Sequence, residues 1–310
     1  MADEPENLLT GLKEVESSDV HDYLDISSKV FSSRALKEEI TGHISDSLKF
    51  TIMKPPFPAP ITNWHNDTYP AITPTRPEVL ALGKTIIITG GGTGIGRATV
   101  EAFAQAKAAT IAITGRRIAP LEETKRYIEG KYDANVLIFA ADVTDAAAMK
   151  KVAAEVGSWD VLVNNAGYYA TAKTISESDI DDWWKGWEVR ICANGIIRVV
   201  FADTLYTQIN VKGTFVVWQA FHGTAKKDAV FIGTATAAVT LPLQMSIGQS
   251  SYIASKQGLI KVLEILAAEE SNISVRVFHP GVIETDLAAK AGAAGVLPVD
   301  KGEHLFALSK

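Results

Sequence analysis

Tyr252 and Lys256 stand four residues apart in Tyr252-Ile253-Ala254-Ser255-Lys256. On a helix that spacing puts both side chains on one face. An unperturbed phenol titrates at about 10 and is a poor acid or base at neutral pH. A nearby ammonium favours the phenolate. Bringing the phenol down to about 7 requires about 4 kcal/mol of differential stabilisation, and a close lysine supplies part of it. The pair can therefore make tyrosine an acid–base group. Taken alone, it is better read as two unrelated side chains of a surface helix.

A second group of residues would hold an anion. Thr89-Gly90-Gly91-Gly92-Thr93-Gly94-Ile95-Gly96 follows a β-branched run and opens a helical pattern. Glycines at Gly90, Gly92, Gly94 and Gly96 let the backbone turn tightly and approach a pyrophosphate, which Thr93 and Ile95 would meet at the helix N-terminus. A dinucleotide site then needs a ribose contact about 20 residues further on. There the chain reads Thr114-Gly115-Arg116-Arg117. An arginine suits a 2′-phosphate, so Arg116 and Arg117 favour NADP over NAD. The alternative is that one of the two is a solvated surface charge. Asp142-Val143 would lie at an adenine edge, and Asn164-Asn165-Ala166-Gly167 is a glycine-ended turn suited to a backbone lying against a ligand.

The elements that must carry these residues alternate. Strands are expected at 85–89, 110–114, 136–140, 161–164, 229–233 and 273–278, and helices at 94–106, 119–130, 146–156 and 250–270. Strands alternating with helices imply βαβ units, right-handed crossovers and a doubly wound parallel sheet, the Rossmann arrangement.

The glycine loop, Asn-Asn-Ala-Gly, Tyr-x-x-x-Lys and His279-Pro280-Gly281-Val282-Ile283-Glu284-Thr285 follow one another in the order found in short-chain dehydrogenases/reductases. The chain resembles that family over roughly residues 83–300. The resemblance implies hydride transfer between a nicotinamide cofactor and a small alcohol or carbonyl compound, with homo-oligomeric assembly. In that frame Tyr252 looks like the general acid/base. Lys256 would hold the cofactor ribose and lower the tyrosine's pKa, helped by the cofactor's charge. Asn210, in Asn210-Val211-Lys212-Gly213-Thr214-Phe215, looks like the asparagine that supports the relay's water. Ile283 and Thr285, after Pro280-Gly281, resemble the positions that hold the nicotinamide amide. No metal is implied.

Three departures from the pattern stand out. The family's serine after strand five is absent from Ile232-Gly233-Thr234-Ala235-Thr236. Thr234 best matches its position, Thr236 is the fallback, and Ser246, Ser250 and Ser251 lie further along. The second departure is the 20-residue segment 189–208, whose removal joins Trp187-Glu188 directly to Ile209-Asn210-Val211 and restores the family pattern. Its ends can be encoded by splice-site-like codons, which points to a retained intron translated in frame; a genuine insertion is the alternative. The third is the tail, where residues 301–310 show no strand alternation and a seventh strand is expected to be missing.

The remaining sequence bounds the class. Net charge is −6, which argues against nucleic acid as a partner. Cys192 is the one cysteine, the N-terminus lacks a basic region followed by an apolar one, and no apolar run reaches membrane-spanning length. These features suggest a cytoplasmic protein. Residues 1–52 are polar, with a short helix expected at 30–40. Seven of the 12 prolines fall between Pro55 and Pro77, so 53–82 reads as an arm or linker, or at Pro55–Pro60 as a peptide ligand. The substrate pocket is expected to include Tyr168, Tyr169 and residues 241–247, and Trp183, Trp184 and Trp187 read as packing residues. Two functions are open: an active NADP-dependent oxidoreductase, or a chain that keeps the cofactor frame without activity.

Overall fold

Six short runs of β-branched and aliphatic residues build one parallel sheet: β1 (Thr85–Thr89), β2 (Thr110–Gly115), β3 (Asn135–Ala140), β4 (Trp159–Asn164), β5 (Ala225–Thr234) and β6 (Ser274–Phe278). Their order is β3-β2-β1-β4-β5-β6. The computed structural model describes residues 68–185, 209–240, 242–281, 283 and 285–290. The expected helix at 30–40, the prolines at 55–60, segment 189–208 and the tail 301–310 all lie outside the described residues.

Alternation along the strands gives each face its own core. Ile86, Ile88, Ile111, Ile113, Val161 and Val163 point to one side, with α1 (Gly94–Gln105) and α2 (Ile118–Lys131) packed there through Val100, Leu121 and Ile128. Ile87, Ala112, Leu162 and Phe231 point to the other. On that side lie α3 (Ala146–Val156), α5 (Lys212–Phe221) and α6 (Ser250–Glu269), through Met149, Phe221 and Leu263. Strands buried on both faces read as continuous apolar runs, which is why the parallel sheet was legible in the sequence. Trp159 is fully buried and its Nε1 donates to the Phe221 carbonyl at 2.9 Å, fixing β4 to α5.

β5 starts four residues before the strand expected from sequence, because Lys226-Lys227-Asp228 hides it from hydrophobic pattern. Asp228 adopts φ +63° at a register shift between β4 and β5. Lys226 pairs with Asp160 at 2.6 Å, and Asp160 also accepts from the Thr85 N–H at 2.8 Å.

Between β4 and α5 lies a short helix, α4 (Ile180–Trp184). The Ile209 N–H donates to the Lys185 carbonyl at 3.2 Å, so the two sides of segment 186–208 meet. A last short helix, α7 (Asp286–Lys290), follows β6 and is capped by the Thr285 hydroxyl, which accepts from the Ala288 N–H at 3.0 Å. Among the described residues no helix is long and apolar enough to cross a membrane.

Candidate active site

The chain runs outward through β1, β2 and β3, then returns to place β4 beside β1. Such a reversal opens a crevice at the carboxyl ends of the strands. A cleft of about 780 Å³ lies there, lined from the end of every strand.

The glycine loop forms its floor. The Gly90 and Gly91 N–H groups both donate to the Thr114 carbonyl, at 2.8 and 3.2 Å, tying the loop to β2. Gly90 has φ +71°, a region open to glycine at little steric cost. An ideal Cβ on Gly96 would stand 2.0 Å from the Gly90 carbonyl oxygen, so only glycine lets α1 begin this close to β1. Thr93 is the α1 N-cap, yet its side chain makes no capping bond. The first N–H groups of α1 are thereby left to a ligand, since anions bind at helix N-termini. Thr285 closes this end, its Cγ2 3.0 Å from where a Cβ on Gly94 would sit.

The opposite wall comes from β4. The Thr89 hydroxyl accepts from the N–H groups of Asn165 at 3.0 Å and Ala166 at 2.9 Å, and Asn165 Nδ2 donates to the Thr89 carbonyl at 3.0 Å. These bonds span the crevice between β1 and β4 and turn Asn165-Ala166-Gly167 toward the cleft. Asp142 holds its own turn, accepting from the Thr144 N–H and hydroxyl at 2.9 and 2.7 Å.

Of the residues singled out from sequence, Gly90, Gly92, Thr93, Gly94, Ile95, Gly96, Arg116, Arg117, Asp142, Val143, Asn165, Ala166, Gly167, Thr234, Tyr252, Lys256, Pro280 and Thr285 line the cleft. Asn210, Gly281 and Ile283 do not. Arg97 and Glu123, paired at 2.7 Å, also line it. Sequence reasoning passed over Arg97, although it directly follows Gly96 in the first turn of α1.

Lys256 is buried, and its Nζ donates to the Thr234 carbonyl at 2.7 Å. Burial lowers its pKa to about 8, because desolvation penalises the ammonium. Burial pushes the Tyr252 phenol up to about 12, the nearby Thr236 hydroxyl pulls it down, and the neighbouring Tyr169 adds to the rise. Lys256 Nζ lies 5.8 Å from the Tyr252 ring centroid, and desolvation outweighs it.

Of the two threonines, Thr234 lines the cleft and Thr236 does not. The Thr236 hydroxyl lies near the Tyr252 phenol and accepts from the Ala238 N–H at 3.2 Å. The Thr234 hydroxyl is buried without a hydrogen-bond partner among the described residues. Asn210 sits behind the cleft wall. Its Oδ1 accepts from the Tyr168 N–H at 2.9 Å, and its Nδ2 donates to the Tyr168 carbonyl and to Ser255 Oγ, both at 2.9 Å.

A family model described as short chain dehydrogenase matches residues 84–294. The chain belongs to the short chain dehydrogenase family. A short chain dehydrogenase of Pseudocercospora fijiensis is 32% identical over 233 residues, 72% of this chain and 67% of that protein. An NADP-dependent 3-hydroxy acid dehydrogenase of Schizosaccharomyces pombe is 27% identical over 216 residues, 66% of this chain and 74% of the relative. The crystal structure of a short chain dehydrogenase from Burkholderia cenocepacia in complex with NADP has a TM-score of 0.59 at 27% identity, covering 74% of this chain and 89% of that one. This dehydrogenase is a nicotinamide-dependent oxidoreductase. Its glycine floor, uncapped helix N-terminus and buried Thr234 hydroxyl fit such a dinucleotide.

Proposed function

We propose that this chain catalyses NADP-dependent interconversion of an alcohol and a carbonyl compound, with Tyr252 as the general acid/base. The observation that carries the reading is the grouping of Tyr252, Lys256 and Thr234 in one cleft that Arg97, Arg116 and Arg117 also line. The bound nicotinamide would supply or accept the hydride. Tyr252 gives its proton to the substrate oxygen in reduction and takes it back in oxidation. Thr234, whose hydroxyl is buried without a partner among the described residues, lines the cleft with Tyr252, and the Thr236 hydroxyl lies near the phenol. Lys256 lies one helical turn from the tyrosine, ready to leave the Thr234 carbonyl for a ribose hydroxyl. Its positive charge, once the cleft is filled, opposes the upward push of burial on the phenol. Asn210 is a positioning residue, fixing the backbone of Tyr168 and through Ser255 the helix that bears Tyr252.

Arg116 and Arg117 follow β2, where a 2′-phosphate would lie. Arg117 has no ion-pair or hydrogen-bond partner among the described residues, so its guanidinium is open to one. Charge-assisted bonds to phosphate are about twice as strong as neutral ones. An inactive nucleotide-binding chain would have no need of the tyrosine, lysine and threonine together.

The test is turnover of a panel of aldehydes and ketones, followed by nucleotide absorbance. Tyr252→Phe keeps the ring and removes the proton donor, so the rate should fall about 10²–10⁴-fold with nucleotide affinity within a few-fold. Near-full activity in Tyr252→Phe would sink the assignment.

A further inference from the structure

We infer that Asp182 is a positioning residue: with its neighbour Trp183 it brackets Tyr252 from two sides and holds the phenol of Tyr169 against the Tyr252 ring. The inference rests on the assignment of Tyr252 as the acid/base.

The geometry is a chain of short contacts. Asp182 Oδ1 accepts from the Tyr168 hydroxyl and from Lys185 Nζ, the latter at 3.3 Å, and Oδ2 accepts from the Thr171 N–H at 2.7 Å. One carboxylate thus grips both ends of the 168–171 loop that follows β4. Within that loop Tyr169 is buried, its ring centroid 4.7 Å from that of Tyr252. Asn210 fixes the Tyr168 backbone through both its N–H and its carbonyl, so the Tyr168 side chain reaches Asp182 from a defined root. The next residue, Trp183, grips the other partner. Its Nε1 donates to Ser250 Oγ at 2.8 Å, and its carbonyl accepts from the Ser251 hydroxyl. Ser250 and Ser251 immediately precede Tyr252 on α6. Two adjacent residues of α4 therefore fix the loop carrying Tyr169 and the helix start carrying Tyr252.

A carboxylate is suited to this role. It accepts several donors at once, and charge-assisted bonds are the strong ones. The groups facing the Tyr252 phenol are Lys256 from its own helix, Tyr169 from the loop after β4 and Thr236 from the loop after β5. Tyr168 is faced by Asp182, Lys185 and Arg116. Tyr169 contributes to the raised pKa of Tyr252, so loosening the bracket should let the phenol titrate at lower pH.

The experiment compares Asp182→Asn, Tyr168→Phe and their double variant in the full chain, using the most active carbonyl of the panel. Each single variant should lower kcat about tenfold with nucleotide KM within twofold, since small misplacements at a reacting centre are amplified. The kinetic pKa belonging to Tyr252 should move to lower pH. A tyrosinate absorbance titration, read as the difference from Tyr252→Phe, should move the same way without any substrate. The double variant should lose less than the two singles combined, because both weaken the bond between Tyr168 and Asp182. Tyr169→Leu, which leaves the bracket intact, should reproduce the shift. Variants with lower Tm but unchanged kcat and pH profile would overturn the proposal, as would additive losses. If Asp182→Asn does not fold, Tyr168→Phe and Tyr169→Leu test the same contacts with the same two outcomes. An inactive Tyr252→Phe beside a fully active Tyr168→Phe removes only the bracket; an active Tyr252→Phe removes the acid/base assignment itself.

Discussion

Lys256 shows how a functional residue opposes stability. Its ammonium is buried against one carbonyl, and its pKa falls from about 10.5 to about 8. Below pH 8 both folded and unfolded chains hold the proton, and the folded state carries the whole burial cost, about 3 kcal/mol at ~1.4 kcal/mol per pKa unit. From about 8 to 10.5 the folded state has released a proton that the unfolded state keeps, so this cost shrinks as pH rises. Lys256→Met should therefore abolish activity yet stabilise the cofactor-free protein at pH 7. The gain should be roughly 1–2 kcal/mol, because the Thr234 carbonyl loses its donor. Denaturant melts between pH 7 and 10 check this, and the gain should vanish at the alkaline end. A destabilised Lys256→Met protein at pH 7 would show that the carbonyl bond outweighs desolvation.

At the scale of elements, α4 and α5 bear on the long segment between them. Without residues 189–208, Ile209 would follow Lys185 by four positions, so the observed bond from the Ile209 N–H to the Lys185 carbonyl is the bond of a continuous helix. Asn210 is then the residue that such a helix would carry to the back of the cleft, where its side chain clasps Tyr168. Deletion of 189–208 is expected to keep nucleotide binding and turnover and to raise soluble yield. The segment holds Ile196-Ile197-Arg198-Val199-Val200-Phe201, an apolar β-prone run. Loop length alone would change stability little, by about 0.6 kcal/mol per doubling. An insoluble or non-binding deletion variant would mean that the segment is a working part of the fold, and the retained-intron reading would fall with it.

The whole molecule is organised by the crevice between β1 and β4, and a ligand there touches the ends of all six strands. Nucleotide binding should therefore stabilise the entire sheet by mass action, about 2.7 kcal/mol at a hundredfold excess over Kd. NADPH should raise Tm more than NADH at equal concentration. Replacing Arg116 and Arg117 together with glutamine should erase that difference while leaving the NADH response in place. Equal loss with both nucleotides would refute the role given to the two arginines. At this same scale the sequence and the fold part company. Local signals were enough for the apolar strands, the glycine loop and the helix bearing Tyr252 and Lys256, because each depends on near neighbours in the chain: alternation, steric freedom and helical spacing. The sequence by itself therefore determined the Rossmann frame and the four ordered motifs. Tertiary structure decided the rest. It set Thr234 in the cleft wall and left Thr236 out of it, because the chain turns after β5 in a way no local pattern encodes. It pushed the Tyr252 phenol up, since burial is a property of the packed molecule. It also brought Asp182 to Tyr168 and Trp183 to Ser250, partners 14 and 67 residues apart in the chain. Contacts at such separations arise from the path of the backbone through the sheet, and residue types alone do not specify them.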